Sequence, residues 1–276
     1  MQVVQLSDPH VDYRFPQKAA AFARAVAHVN TMPALPDAVI LTGDCTEHAR
    51  PDEYALFTDL LRTLRVPAFL VPGNHDDRAA LLDLFPPPPG HLPGFMQYAA
   101  EDFPLRLIGL DTQRPGHGGG ELDDTRLDWL EARLREAPER PTLIFMHHPP
   151  VRTGLDVMDG MDLRGREELC DLLLEHPQVL RVAAGHLHMG LTAGFAHTTV
   201  MTCPGTDATL NPDLNRAAQL VVQRQPPMCL LHHWTPETGL NTFTQVIEPA
   251  PWHTLFDGQA WHDFDRPNGT HHSPPH

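Results

Sequence analysis

Short apolar runs punctuate the first 190 residues, and each ends in polar residues of turn character. Residues 2–7 alternate enough to be a first strand, and Ala38-Val39-Ile40-Leu41, Ala68-Phe69-Leu70-Val71, Leu143-Ile144-Phe145-Met146 and Val182-Ala183-Ala184 all have this form. Runs of this length bounded by Gly, Pro, Asn or Asp read as buried strands. Between the first two lies an Ala-rich stretch, residues 17 to 30, with Phe22, Val26 and Val29 on one helical face. Pro51-Asp52-Glu53-Tyr54 then opens a second helix, to about Leu64, with proline and acids in its first turn. Strand-helix-strand-helix-strand predicts a parallel sheet with right-handed crossovers.

Further along, 97–100 and 105–110 predict a hairpin, 123–136 a helix and 142–146 a strand. Residues 151–165 read as loop, followed by a helix to about His176 and a strand over 179–184. Residues 86–94, rich in Pro and Gly, predict a stiff surface excursion. Gly116-His117-Gly118-Gly119-Gly120 lacks an abutting strand and a following Gly-Lys-Ser/Thr, so it reads as a flexible linker rather than a phosphate cradle. The β-prone runs near 198–203, 217–224, 228–234 and 242–247 predict an antiparallel second sheet. This divides the chain into a domain over 1–247 and a C-terminal segment, 248–276, carrying Trp252, Phe256, Trp261 and Phe264. That segment is expected to pack on the body or to edge the site.

Composition narrows the function more than the fold. The 276 residues are 41% hydrophobic and 20% charged, enough for a real core. A formal charge of −15 argues against a nucleic-acid surface, which needs clustered Lys and Arg. Cys45, Cys170, Cys203 and Cys229 are scattered, without metal or scaffold spacing, and predict reduced thiols. The start has no signal-peptide pattern and no apolar run reaches membrane-span length. A soluble cytoplasmic protein with no membrane partner is the expectation.

The chemistry lies where the strands stop. Asp8 and His10, Asp44, Asn74 and His75, His147 and His148, and His186 and His188 follow five apolar runs in turn. On the C-terminal rim of a parallel sheet they would converge. In an extended segment Asp8/His10 and His186/His188 would each form a two-pronged ligand. Taken singly, each is an ordinary loop residue; His28, His91, His176, His197, His232 and His233 are assigned nothing. As a set, imidazoles and oxygens without Cys suit Fe, Mn, Zn, Co or Ni, and exceed what one tetrahedral ion can use. Two ions are expected, and Asp44, alone on its strand end, is the best bridge.

Asp-x-His, Gly-Asp, Pro-Gly-Asn-His-Asp-Asp, Phe-Met-His-His-Pro-Pro and Gly-His-x-His, in that order, resemble the calcineurin-like metallophosphoesterases. Within them the chain resembles the class III cyclic nucleotide phosphodiesterases and the bacterial glycerophosphodiesterase group. The likeness covers nearly the whole chain, most specifically residues 4–190. It implies a four-layer α/β/β/α sandwich with a mixed sheet and a second, more antiparallel one. It implies that Asp8, His10 and His188 hold the first metal, that Asp44 bridges, and that Asn74, His147 and His186 hold the second. His148 then stands behind the ligands, His75 acts on the phosphate, and Asp76 orients His75. The implied reaction is attack of metal-bound hydroxide on a small phosphodiester, a cyclic nucleotide or a glycerophosphodiester. Phosphomonoester hydrolysis is the alternative, and a silent metal-binding scaffold a more remote one. About four positive charges from two ions would let an anion enter an acidic protein. The stretch after Pro204-Gly205-Thr206 looks shorter than in the glycerophosphodiesterase, which leaves substrate range open. A homo-oligomer is allowed by the resemblance alone.

Overall fold

The computed structural model describes residues 1–212, 214, 220–223, 226–247 and 259. In chain order the elements are β1 (Gln2–Leu6), α1 (Pro16–Thr31), β2 (Ala38–Leu41), α2 (Pro51–Leu61), β3 (Ala68–Leu70) and α3 (Arg78–Leu84). Next come β4 (Tyr98–Ala100), β5 (Arg106–Leu110), β6 (Gly120–Glu121), α4 (Asp124–Glu136) and β7 (Thr142–Met146). They are followed by α5 (Asp156–Asp159), β8 (Leu163–Arg164), α6 (Arg166–Leu174), β9 (Val179–Ala184) and β10 (Leu191–Phe195). The last are β11 (Thr198–Thr202), β12 (Thr209–Asn211), β13 (Val221–Gln223), β14 (Met228–Thr235) and β15 (Gly239–Val246).

Two sheets carry the molecule. The first runs β15-β14-β1-β2-β3, parallel from β1 to β3 and antiparallel where β14 and β15 close it. The second runs β10-β11-β9-β7-β5-β4, parallel through β11, β9, β7 and β5 with an antiparallel strand at each edge. Both are mixed, and the first is the more antiparallel.

Strand alternation explains the layering. In β5, β7 and β9, Leu107, Leu143, Phe145 and Ala183 join the core shared with the first sheet and with Phe22 of α1 and Phe57 of α2. Their neighbours Ile108, Ile144, Met146, Val182 and Ala184 face the other way, onto Leu127, Leu130 and Leu134 of α4 and Leu169 and Leu173 of α6. Successive side chains of a strand point to opposite faces, so a strand apolar at every position is buried on both. The result is helix, sheet, sheet, helix.

Two expectations are corrected by this pairing. The late β-prone runs do not form a sheet of their own: 198–202 joins the second sheet beside β9, and 228–235 and 239–246 extend the first. Of the run at 217–224, residues 221–223 pair with 209–211, while 217–219 and 224 lie outside the described residues. The strand ends of interest also belong to two facing sheets rather than to one rim. Hydrophobic periodicity reports burial, not which strand is the neighbour. The proposed segment 248–276 lies outside the described residues apart from Gln259.

Candidate active site

The site is assembled where β1, β2 and β3 of one sheet meet β7 and β9 of the other. Hydrogen bonding continues past the strands: Asp8 N donates to Gly43 O and His10 N to Asp44 O, while Gly185 N donates to His147 O. The sheets are also tied across, through His186 N to Asp8 Oδ1 at 3.2 Å and His147 Nδ1 to Thr42 O at 2.7 Å. This close approach demands glycine. A Cβ on Gly73 would fall on the backbone N and carboxyl group of Asp44, so only a residue without one fits there.

The backbone is bent to the same purpose. Asp8, His10, Asp44, His186 and His188 all have φ between +43° and +66°. Among the described residues these five are most of the non-glycine residues in the left-handed region, the others being Ala49 and Ala196. Each costs roughly 1–2 kcal/mol, and such strain concentrates at functional sites. It also corrects the two-pronged reading. Asp8 and His10 do share a cluster, but His186 and His188 are not extended and part company. His188 Nε2 lies 3.1 Å from His10 Nε2 and 3.5 Å from Asp8 Oδ1. His186 instead stacks edge-on to His147, ring centroids 5.1 Å apart.

Two donor clusters result, with Asp44 between them. Asp8, His10, Asp44 and His188 bring ligand atoms within 4.8 Å of one another. On the other side His147 Nε2 lies 3.0 Å from Asn74 Oδ1 and 3.4 Å from Asp44 Oδ2, while the same Oδ2 is 3.3 Å from His10 Nε2. His148 is equally close, but Thr112 Oγ1 occupies its Nδ1 at 2.9 Å and Gly118 O its Nε2 at 3.1 Å. It has no nitrogen left for an ion. That bond also revises the Gly116–Gly120 reading: the loop ends in β6, paired with β8, and a Cβ on Gly118 or Gly119 would meet Met161 or Asp162.

The donor set fits divalent cations on charge as well as on type. Burial pushes the Asp8 carboxyl up to about 6, opposed by His147 and reinforced by Asp44. Burial opposes a charge on His147, yet Asp44 carries that imidazole up to about 9. Because Nδ1 donates to Thr42 O, the added proton sits on Nε2, facing Asp44 and Asn74, the place a cation would take. Buried His186 Nε2 has no hydrogen-bond partner among the described residues. A further cluster, Asp12–His48–Glu53, differs: Arg14 Nη2 lies 3.3 Å from Asp12 Oδ2 and 2.7 Å from His48 Nε2, so a cation already fills it.

His75 lies beside the clusters, its backbone N donating to Asp44 Oδ1 at 2.9 Å and its Nδ1 to Glu47 O at 2.9 Å. Among the described residues the ring is therefore set by Glu47, not by Asp76. Asp76 is buried and accepts from Cys45 N, Thr46 N and Gly73 N at 3.0, 3.2 and 2.9 Å, tying the loop after β2 to the loop after β3. It braces the loop that carries Asn74 and His75.

A cavity of about 570 Å³ opens over these groups. Asp8, His10, Asp44, Asn74, His75, His186 and His188 form its polar side, and Met158, Met161, Leu210, Leu220 and Val222 its apolar side. The sequence reading missed Lys18 and Glu47, which also line it. Burial would raise the Glu47 carboxyl, but His10 and Lys18 hold it below the usual carboxylate range. Glu47 was findable as the next acid after Asp44 in the same loop. Lys18 carried a plainer signal, being the chain's sole lysine.

Residues 1–190 match the sequence pattern of the calcineurin-like phosphoesterases. The chain belongs to that family. Over 259 residues this phosphoesterase is 38% identical to an Arcobacter nitrofigilis protein named a probable glycerophosphodiester phosphodiesterase, covering 90% of this chain and 93% of the relative. It is 31% identical over 176 residues to the 3′,5′-cyclic adenosine monophosphate phosphodiesterase of Escherichia coli K12, covering 64% of this chain and 63% of that one. The fold also matches the crystal structure of a dimetal phosphatase from Danio rerio, with a TM-score of 0.65, 16% identity and coverage of 90% and 99%.

Proposed function

We propose that this phosphoesterase is a dinuclear metal-dependent phosphodiesterase acting on small phosphodiesters, 3′,5′-cyclic nucleotides or glycerophosphodiesters. The observation that carries the reading is Asp44 Oδ2, 3.3 Å from His10 Nε2 and 3.4 Å from His147 Nε2, joining two donor clusters. Asp8, His10 and His188 would hold one ion, Asn74, His147 and His186 the other, and Asp44 both. Fe, Mn, Zn and Co all suit these donors. Once bound, the ions supply Lewis acidity, which lowers the pKa of water toward ~7 and offsets phosphoryl charge.

The chain's own residues do the rest. His147 keeps its Nε2 available because Nδ1 donates to Thr42 O. His148, bonded to Thr112 and Gly118, backs His147 and His186 without binding anything. His75 spends Nδ1 on Glu47 O, which leaves Nε2 for the phosphoryl oxygens or the departing alkoxide. The apolar wall from Met158 to Val222 limits water around the ester group. The four cysteines are free, which fits a reducing cytoplasm, and no helix among the described residues is long and apolar enough to cross a membrane.

The test is hydrolysis of bis(p-nitrophenyl) phosphate by Mn-reconstituted protein, followed by a panel of cyclic nucleotides and glycerophosphodiesters. Asp44→Ala and Asn74→Ala abolish turnover while circular dichroism stays native. His75→Ala keeps its metal and loses roughly 10²–10⁴-fold in rate. Unchanged turnover in the Asp44 or Asn74 variant contradicts the assignment.

A further inference from the structure

One ion pair in the cavity wall has no part in the scheme above. Lys18, near the start of α1, places Nζ 2.6 Å from Glu47 Oε2. Both side chains are about three-quarters buried, at 23% and 22% exposure, and both line the cavity beside His10, Asn74 and His75. The other nineteen cationic side chains of Arg and Lys type are all arginine. The cavity thus carries the chain's one side-chain ammonium, compact and point-like, where an arginine would present a broad planar fork.

Glu47 is held on three sides. Its Oε2 is 3.1 Å from His10 Nδ1 as well as against Lys18, and its Oε1 is 3.7 Å from His75 Nδ1. A carboxylate clamped in this way cannot swing out to solvent, so its charge is fixed beside His75. The backbone O of the same residue, not its side chain, accepts the His75 hydrogen bond. Orientation of His75 and the charge at position 47 are therefore separable.

We propose that Glu47 and its counter-charge Lys18 set the phosphate charge that the site accepts. Glu47 selects a singly charged diester against a doubly charged monoester, and Lys18 tempers that selection. The proposal rests on the phosphodiesterase reading. A phosphodiester carries one negative charge, whereas a phosphomonoester loses its second proton near pH 6 and carries two above it. The extra charge meets repulsion from a fixed carboxylate and attraction from a fixed ammonium. With both residues present the pair is neutral overall; deleting either member leaves the other uncompensated.

Removing the two residues must then move selectivity in opposite directions, which a merely structural brace would not do. The experiment compares Mn-loaded full-length wild type with Glu47→Gln, Lys18→Met and Lys18→Arg at pH 8. It measures kcat/KM for p-nitrophenyl phosphate and bis(p-nitrophenyl) phosphate, metal content, and calorimetric binding of inorganic phosphate. Glu47→Gln raises the monoester-to-diester ratio by about three-fold or more and tightens phosphate binding. Lys18→Met lowers the ratio and weakens phosphate by a similar factor, and Lys18→Arg returns both toward wild type. Parallel losses on both esters, with the ratio unmoved, overturn the proposal. Should Glu47→Gln fail to hold metal, Lys18→Met against Lys18→Arg decides it. Wild type without diester turnover would fault the phosphodiesterase reading instead, and the phosphate affinities would still report on the charge pair.

Discussion

Gly73 shows how much of the site is decided by the size of one residue. Its missing side chain lets the loop after β3 lie on Asp44, where a methyl group would meet the backbone N as well as a carboxyl group already held by His75 N. Gly73→Ala should therefore push Asp44 away from His10 and His147. A displacement of about 1 Å costs on the order of 10²-fold in rate. We expect kcat/KM for bis(p-nitrophenyl) phosphate to fall at least ten-fold, with metal content reduced and the far-ultraviolet spectrum unchanged. Wild-type turnover would mean that the contact is slack. The candidate site was legible residue by residue because metal-type side chains stand where apolar runs end. Glu47 and Lys18 left only weak marks, as the next acid after Asp44 and the chain's sole lysine, since a loop acid and a helical lysine look like solvated charges until their distances are known. The parting of His186 from His188 was not legible, because a left-handed φ at a histidine leaves no mark in the sequence.

At the scale of elements, a buried polar chain joins β14 to β1 and β2. Thr242 Oγ1 donates to His232 Nδ1 at 2.9 Å, and His232 Nε2 donates to Gln5 Oε1 at 3.1 Å. Gln5 Nε2 donates in turn to Thr42 Oγ1 at 3.0 Å and, across the sheets, to Ala184 O at 2.8 Å. This arrangement needs a neutral imidazole. Burial, helped by Arg181, presses the His232 pKa down to about 3 from its ordinary 6.5. Between those values the unfolded chain takes up a proton that the folded chain refuses. The contribution of His232 to stability is thus full above about pH 6.5 and is lost as the pH falls toward 3. In urea titrations from pH 7 to pH 4, His232→Gln should lose less of its midpoint than wild type does over the same range. Parallel curves would show that His232 carries none of the acid sensitivity. Element positions were readable where apolar runs were long, as in β7 and β9. α3 was missed because Asp77, read only as part of a turn, caps it by accepting from Ala80 N at 3.0 Å.

For the whole molecule, two mixed sheets face each other so that five strand ends converge across a gap rather than along one rim. The order of elements was visible in the sequence, but the split between sheets was not, since partner choice depends on contacts far apart in the chain. The acidic surface and the anionic substrate are reconciled at this scale: the net charge of −15 belongs to the chain, while the charge at the site is set by what the clusters bind. That makes the ions the central claim. Its most direct measurement is a titration of chelator-treated protein with Mn(II), following turnover of bis(p-nitrophenyl) phosphate against bound metal per chain. The account predicts negligible turnover without metal and a rise that saturates at two ions per chain. Full activity after chelation, or saturation at one ion, would contradict it.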